Sequence, residues 1–390
     1  MKKNILKLST VVMALSLAYT TQSCRSNSED TPTVSTLNPE NFKGTIKSGE
    51  TWTLDATKTY KLTAGVTVED GGQLVIPAGT RIECTGGTSA FVLVKQGGKI
   101  FSNGTATAPV VFTSPTNTLA DWGGIVICGR APINAGAASG ATTATSEVGE
   151  VPYGGTIPND NSGSITYTRV EYAGAVYSTT KEFNGISLFG VGNGTTIKYV
   201  QIYKSNDDGI EFFGGTVNTS YILANGSDDD NFDWTEGWNG TNEFWYGVRD
   251  AGRGNRGIEA DNYEFGFKNN PYSNPTIKNI TLIGNDFGTE SQAIKLRRGT
   301  KGNLDNVVLS GFLKGIDVEN DETLANVIDG SLKLTNVNFT NIPTKYSYKV
   351  TAGSSMALPT NLVYTENPNA TGAGNGTSLP SWAQGWTRAF

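Results

Sequence analysis

The chain has 390 residues with 48 glycines, 14 prolines and only 3 methionines, room for one large solenoid or two ordinary domains and a composition suited to short strands and tight turns. It contains no histidine, which excludes for this chain alone an imidazole base, a Ser-His pair and a histidine-bound transition metal. The formal net charge of −6 argues against nucleic acid or anionic lipid headgroups as partners.

Lys2 and Lys3 precede an apolar stretch from Leu8 to Tyr19, the pattern of a secretory signal over residues 1–23 that is too short to span a bilayer. TQSC follows, ending at Cys24, and resembles a bacterial lipoprotein processing site, although Thr21 and Gln22 replace the usual small or aliphatic residues. Lipidation of Cys24 is therefore expected, with plain secretory cleavage nearby as the alternative. Cleavage removes Lys2, Lys3 and Lys7 and no acid, so the remainder is more acidic still. Residues 24–45 are polar and aperiodic and read as a tether.

From Thr51 the segments TWTL, TYKLT, VTVE, QLVI, TRIEC, FVLV, GKIFS and PVVFT recur about every eight to ten residues, β-branched and bounded by Gly-Gly, Asn-Gly or Pro-Ala-Gly. The spacing suits the sides of a parallel β-helix and also a sandwich; a longer period further on decides for the helix. Cys84 and Cys128 end apolar strands and read as small buried hydrophobes, with a disulfide as the alternative. Residues 131–163, rich in Ala, Gly, Ser and Thr, read as a surface loop.

One strand type then recurs as ITYTRVEY, IKYVQIYK, VNTSYILA, IKNITLIG, LDNVVLSG and LTNVNFTN. Aligned on Val170, Ile202, Ile222, Ile280, Val307 and Val337, it gives rungs of 20 to 32 residues, with the interval from 222 to 280 read as two. Asn279, Asn306 and Asn336 fall just before the last three anchors and predict an asparagine ladder. A second type recurs as GISLF, GIEFF, NFDWT, GIEAD, AIKLR and GIDVE. Side chains alternate faces along a strand, so Ile210, Phe232, Ile258, Ile294 and Ile316 point inward and Glu211, Asp233, Glu259, Lys295 and Asp317 form an outward column. Two residues further on runs a column of Phe213, Thr235, Asp261, Arg297 and Glu319. Residues 234–257 read as a second excursion, rich in aromatics and arginines. The fold class is thus all-β, a single-domain parallel β-helix over residues 46–365, and the aromatic tail at 366–390 is expected to plug the last rung.

The acidic end of the column is its least comfortable part. Carboxylates stacked about 4.8 Å apart repel by roughly 3.5 kcal/mol at an effective dielectric of 20. Lys295 and Arg297 relieve this for Glu259, Asp261, Asp317 and Glu319, whereas Asp207, Asp208, Glu211, Asp229, Asp230 and Asp233 have no aligned base. A hard cation bound by six to eight oxygens would relieve them, and Ca²⁺ is the natural candidate. The alternative is that the aspartates bond backbone and face water, or meet Arg253 or Arg256.

The phrases IPAGTRIE (76–83), GGKIFSNGTATAPVVFTS (97–114), DWGGIVICG (121–129), DDGIEFFGGTVN (207–218) and DDNFDWTEGW (229–238) resemble a family of Bacteroidota outer-membrane β-helix lipoproteins. The acidic pair Glu29, Asp30 is similar to the surface-export signals of such lipoproteins. The resemblance covers about residues 50 to 340 and implies a right-handed, pectin-lyase-like β-helix, lipid-anchored in the outer membrane and exposed at the cell surface. It also implies a nutrient-capture setting beside a TonB-dependent receptor, and it names no substrate or catalytic residues.

Three functions follow as expectations. The first is non-catalytic binding of an extracellular glycan, with Trp234, Trp238, Trp245 and Tyr246 stacking on sugar faces beside the Ca²⁺ ligands. The second is a Ca²⁺-dependent polysaccharide lyase, disfavoured because Lys295 is paired with acids when a catalytic base must be free. The third is a structural lipoprotein that covers a membrane partner.

Overall fold

The computed structural model describes residues 37–285 and 290–390; the signal expected at residues 1–23 and the expected lipidation at Cys24 lie outside the described residues. Strands follow one another into a right-handed parallel β-helix whose main sheet has 24 strands. One side carries the GIEFF type of strand: Trp122–Cys128, Ile186–Phe189, Ile210–Phe213, Phe232–Thr235, Arg256–Ala260, Gln292–Leu296 and Lys314–Glu319 pair in sequence. The register is the expected one, with Glu211 on Asp233, Asp233 on Glu259, Glu259 on Lys295 and Lys295 on Asp317. Ile210, Phe232, Ile258, Ile294 and Ile316 are fully buried beneath them.

The other two sides are the halves of longer strands that bend in the middle. In the early rungs the halves are separate, since Gly163–Glu171 pairs with Lys99–Asn103 through its first half and with Val110–Thr113 through its second. In later rungs the bend is a single residue in the left-handed region: Tyr167, Tyr199, Tyr221, Phe244, Asn279, Asn306 and Asn336. That conformation costs a non-glycine residue roughly 1–2 kcal/mol. Stacking offsets it here. The rings of Tyr167 and Tyr199, and of Tyr199 and Tyr221, lie parallel at 4.4 Å, and Phe244 continues the pile at 4.8 Å. The asparagines continue the column with an amide bond from Asn306 Nδ2 to Asn279 Oδ1 at 2.8 Å, while Asn336 instead donates to Asp305.

Several expectations are corrected. The tether ends earlier than residue 45, because Phe42–Ile46 is already a strand paired with Thr59–Val68. Residues 234–257 are a full rung, with Thr241–Val248 between Asn218–Asn225 and Thr276–Ile283. Trp245 supplies the anchor skipped between Ile222 and Ile280, and the partner of Ile222 on the preceding rung is Val200, two residues before Ile202. The loop 131–163 carries the hairpin Thr143–Thr145 with Pro152–Gly154, and its Ile133, Val148, Val151 and Tyr153 cover outward apolar residues of the early rungs, Leu93, Val126, Phe189 and Phe213. Cys84 and Cys128 are both buried and unpaired.

The tail does not plug the last rung. Residues near Leu358 and Val363 are buried against that end, and Tyr346 Oη bonds the Leu358 carbonyl. The tail instead runs back along the stacked column: Thr371 bonds Asn306, Trp382 meets Tyr221 edge-on, and Trp386 meets Tyr167 and Tyr199. It ends with Arg388 on Glu171 at 2.7 Å, a carboxylate 1 % exposed that also accepts from Arg169 and Thr113. Arg388→Ala is therefore expected to cost about 2 kcal/mol in chemical denaturation, because a buried carboxylate loses one of its two cations; an unchanged midpoint would show that the tail does not clamp the column.

Candidate cation-binding cleft

The acidic cluster sits where the outward residues of one side change character. Towards the N-terminus they are uncharged, and Val126, Phe189 and Phe213 among them are covered by the insert at 131–163; from Glu211 onward the column Glu211, Asp233, Glu259 and Lys295 is charged. At this boundary lies a cleft of about 240 Å³. Glu211, Asp233 and Thr235 form part of its lining, with Glu147 from the insert, Glu236 from the turn, and Asp261, Tyr263 and Glu264 from the loop after Arg256–Ala260; Arg297 and Arg298 stand at the same cleft.

All six acids expected as ligands come together. Carboxylate oxygens lie within 4.8 Å of one another in three overlapping groups: Asp207, Asp208 and Asp229; Asp208, Glu211 and Asp233; Asp230, Asp233 and Glu259. Part of the cluster is held by backbone. Asp208 Oδ1 accepts from the Asp230 amide at 2.9 Å and Asp230 Oδ1 from the Arg256 amide at 2.7 Å, each bond joining one rung to the next.

Part of the cluster follows the alternative read from the sequence, in which Arg253 and Arg256 meet the aspartates. Arg256 lies one rung beyond Asp230 and contacts Asp230, Asp229, Glu259 and Glu290 at 3.5, 3.8, 3.0 and 2.9 Å, and Arg253 meets Asp228 at 3.3 Å. Arg297 pairs with Glu259 and with Asp261 at 2.8 Å, Arg298 with Asp261 at 2.8 Å, and Lys295 with Glu319 at 3.6 Å. Among the described residues, Asp207, Asp208, Glu211 and Asp233 have no ion pair. Two buried oxygens here have no hydrogen-bond partner: Asp233's own Oδ1 and, on the preceding rung, Asn184 Oδ1, whose Nδ2 donates to Glu211 at 2.7 Å. Asn184 is 1 % exposed.

Burial, and then the mutual repulsion of the cluster, pushes the carboxyls of Asp208, Glu211, Asp230 and Asp233 well above the usual carboxylate range. The same causes raise Asp207 to about 8. Burial raises Glu147 to about 7, and raises Glu236 to about 7 against the hydroxyl that Tyr153 donates to it. Without a cation the cleft therefore holds its protons to neutral pH, and with one it offers a dense set of hard oxygen ligands.

The aromatic ligand residues are elsewhere. Trp234, Trp238 and Trp245 are fully buried and Tyr246 is 3 % exposed, so none can stack on a sugar. Trp238 lies 3.9 Å from Phe212 inside the solenoid and Trp245 4.5 Å from Phe232, while Tyr246 bonds the tail at the Thr377 carbonyl. Sequence reasoning missed Glu147, Asn184, Glu236 and Glu264. Asn184 carried a signal, since it stands just before GISLF as Asp208 stands before GIEFF; Glu147 carried none.

A larger and more open groove of about 510 Å³ lies over Thr196, Lys198, Ser220, Glu243 and Lys278. Its outward side chains are neutral or of mixed sign in register, so it lacks the concentrated unpaired charge of the cleft.

Compared with known families, the chain matches the one described as a pectate-lyase like beta helix domain over residues 44–387. Among solved structures it is similar to that of pectate lyase Pel9A, at 12% identity and a TM-score of 0.35 over 83% of this chain and 78% of that one. No curated protein matches it.

Proposed function

The chain belongs to the pectate-lyase-like β-helix domain family, and on that premise we propose that it is a carbohydrate-binding protein whose acidic cleft holds Ca²⁺ and engages an extended glycan without cleaving it. The observation that carries the reading is the grouping of Asp208, Glu211 and Asp233 within 4.8 Å, with no ion pair of their own, with Asp233 Oδ1 unpartnered and with the unpartnered Oδ1 of Asn184 on the preceding rung. Ca²⁺ takes six to eight oxygens at about 2.3–2.6 Å from flexible carboxylates, amides, water and ligand hydroxyls. Carboxylates from two rungs and the Asn184 amide supply one half of such a shell, and the open cleft leaves the other half to water or sugar.

Pairing at the cleft favours binding over the lyase. A lyase needs a base free to take a proton from carbon. Burial works against the charge on Arg297, yet Asp261 and Glu259 outweigh it and hold the guanidinium protonated more firmly than usual. Lys295 is engaged with Glu319. The proposal extends to location: the leader and Cys24 support an outer-membrane lipoprotein facing outward, accessory to an uptake receptor of the TonB-dependent kind. Pull-down from intact cells with the lipid retained tests that part.

Calorimetric titration of the chelated protein with Ca²⁺ should give saturable heat and a higher melting temperature, because an ion that binds the folded state alone stabilises it by mass action. Absence of both heat and thermal shift would remove the cation. Incubation with polygalacturonate should release no unsaturated product absorbing in the ultraviolet; release would convert the reading to a lyase.

A further inference from the structure

The tryptophans expected to stack on a sugar are buried, while a phenylalanine on a neighbouring loop stands in solvent. Phe265 is 79 % exposed, the most exposed of the large apolar side chains among the described residues. Its loop is not loosely held. The loop is pinned at its base by Asn262, itself fully buried, whose Oδ1 accepts from the Ser273 amide at 2.8 Å and from Asn134 Nδ2 at 2.9 Å. Asn262 Nδ2 donates in turn to the carbonyls of Phe267 at 3.2 Å and Asn269 at 3.0 Å. The loop thus holds an apolar ring in water against the hydrophobic driving force.

The position of the ring suggests why. Tyr263 and Glu264 line the acidic cleft, and Tyr263 meets Phe265 edge-on at 5.5 Å between ring centres. Glu264 and Phe265 also line an adjoining hollow of about 410 Å³ with Lys268, Asn269 and Glu322. Glu264, held to Arg298 at 3.6 Å, is the wall the two hollows share. The second hollow therefore has one apolar face and a polar rim, where Lys268 and Glu322 stand 3.8 Å apart.

We propose that Phe265, buttressed by Tyr263, is a stacking platform for a pyranose ring, so that the ligand is an oligosaccharide reaching at least one ring beyond the cation. This rests on the glycan reading above. A pyranose presents a face of C–H bonds edged by hydroxyls, which matches a lone aromatic ring surrounded by carboxylate, ammonium and amide. A membrane or a protein partner would call for a larger contiguous apolar area than one ring offers. Phe265 does not touch the cation, so it selects for ring geometry and chain length.

The test uses the full processed chain with Ca²⁺ and a panel of hexasaccharides of galacturonate, xylose and mannose, followed by calorimetry, with Tb³⁺ luminescence reporting the cation site separately. The wild type should bind at least one member. Phe265→Ala should weaken that member by about tenfold or more while Phe265→Trp restores it, and Tb³⁺ binding and the melting temperature should not change, since the side chain lies in solvent. Equal affinity for wild type and Phe265→Ala would overturn the platform and leave the cation reading intact. Failure of the wild type to bind any member, with Tb³⁺ still bound, would overturn both the platform and the glycan reading. Loss of Tb³⁺ binding with a Phe265-dependent sugar affinity would uphold the platform and remove the cation.

Discussion

Replacing Asp233 by asparagine is expected to raise the melting temperature of the cation-free protein at about pH 8.5 by about 3–5 °C and to abolish its response to Ca²⁺. Asp233 belongs to two of the three carboxylate groups, has an oxygen with no partner, and stands in register between Glu211 and Glu259. Without a cation its charge is a liability to its neighbours; with one it is a ligand. Removing the charge relieves the first state and disables the second, so the two effects have opposite signs in one variant. A merely structural aspartate would lose stability in both.

The pH dependence follows from the same groups. A carboxyl whose pKa is raised by folding contributes stability that is complete below its unfolded value and lost as the pH rises through the folded one. Glu147 and Glu236, near 7, and Asp207, near 8, place that loss between about pH 5 and pH 8. Chelated wild-type protein should therefore melt lower at pH 8 than at pH 5, and Ca²⁺ should flatten the slope. Thermal scans in chelator at three pH values check it. A flat profile together with an Asp233→Asn variant that melts no higher than wild type would mean that the cluster carries no such stress.

Trp238→Ala is expected to lose about 4 kcal/mol of stability. The ring is fully buried between Phe212 and Trp245, its centre 3.9 and 6.1 Å from theirs, and Nε1 donates to the Val217 carbonyl at 3.1 Å. Truncation leaves a cavity in a stack that spans adjoining rungs and an unpaired carbonyl beside it. Denaturant unfolding measures the loss, and Trp238→Phe, which keeps most of the volume, should recover more than half. A Trp238→Ala protein as stable as wild type would put the ring outside the core.

Those two residues mark where sequence reasoning succeeded and where it stopped. Asp233 was legible because a strand alternates its faces: once Phe232 is inward, Asp233 is outward, and the repeated phrase aligns it on Glu211. Trp238 and Trp245 are not legible as core because a run of aromatics and arginines has no strand period and reads as a loop. The two rungs read between Ile222 and Ile280 are present, with Trp245 anchoring the intermediate one, but aligning Ile202 on Ile222, when Val200 is the true partner, slips that part of the register by two residues. That slip also hid the left-handed column, in which Tyr167, Tyr199, Tyr221 and Phe244 continue the asparagines by ring stacking.

The sequence by itself determined the all-β solenoid, the register of the charged column and the six acids of the cluster, because each is a matter of period within a strand or of offset between neighbouring rungs. Only the tertiary structure decided that Glu147 lines the cleft, that Arg256 takes up part of the cluster's charge, that the tail clamps Glu171 and that Phe265, rather than Trp234, Trp238 or Trp245, is the exposed ring beside the cleft. Those features depend on how insert, turn, loop and tail pack across long sequence separations. Burial and charge pairing between such distant segments leave no periodic trace in the chain.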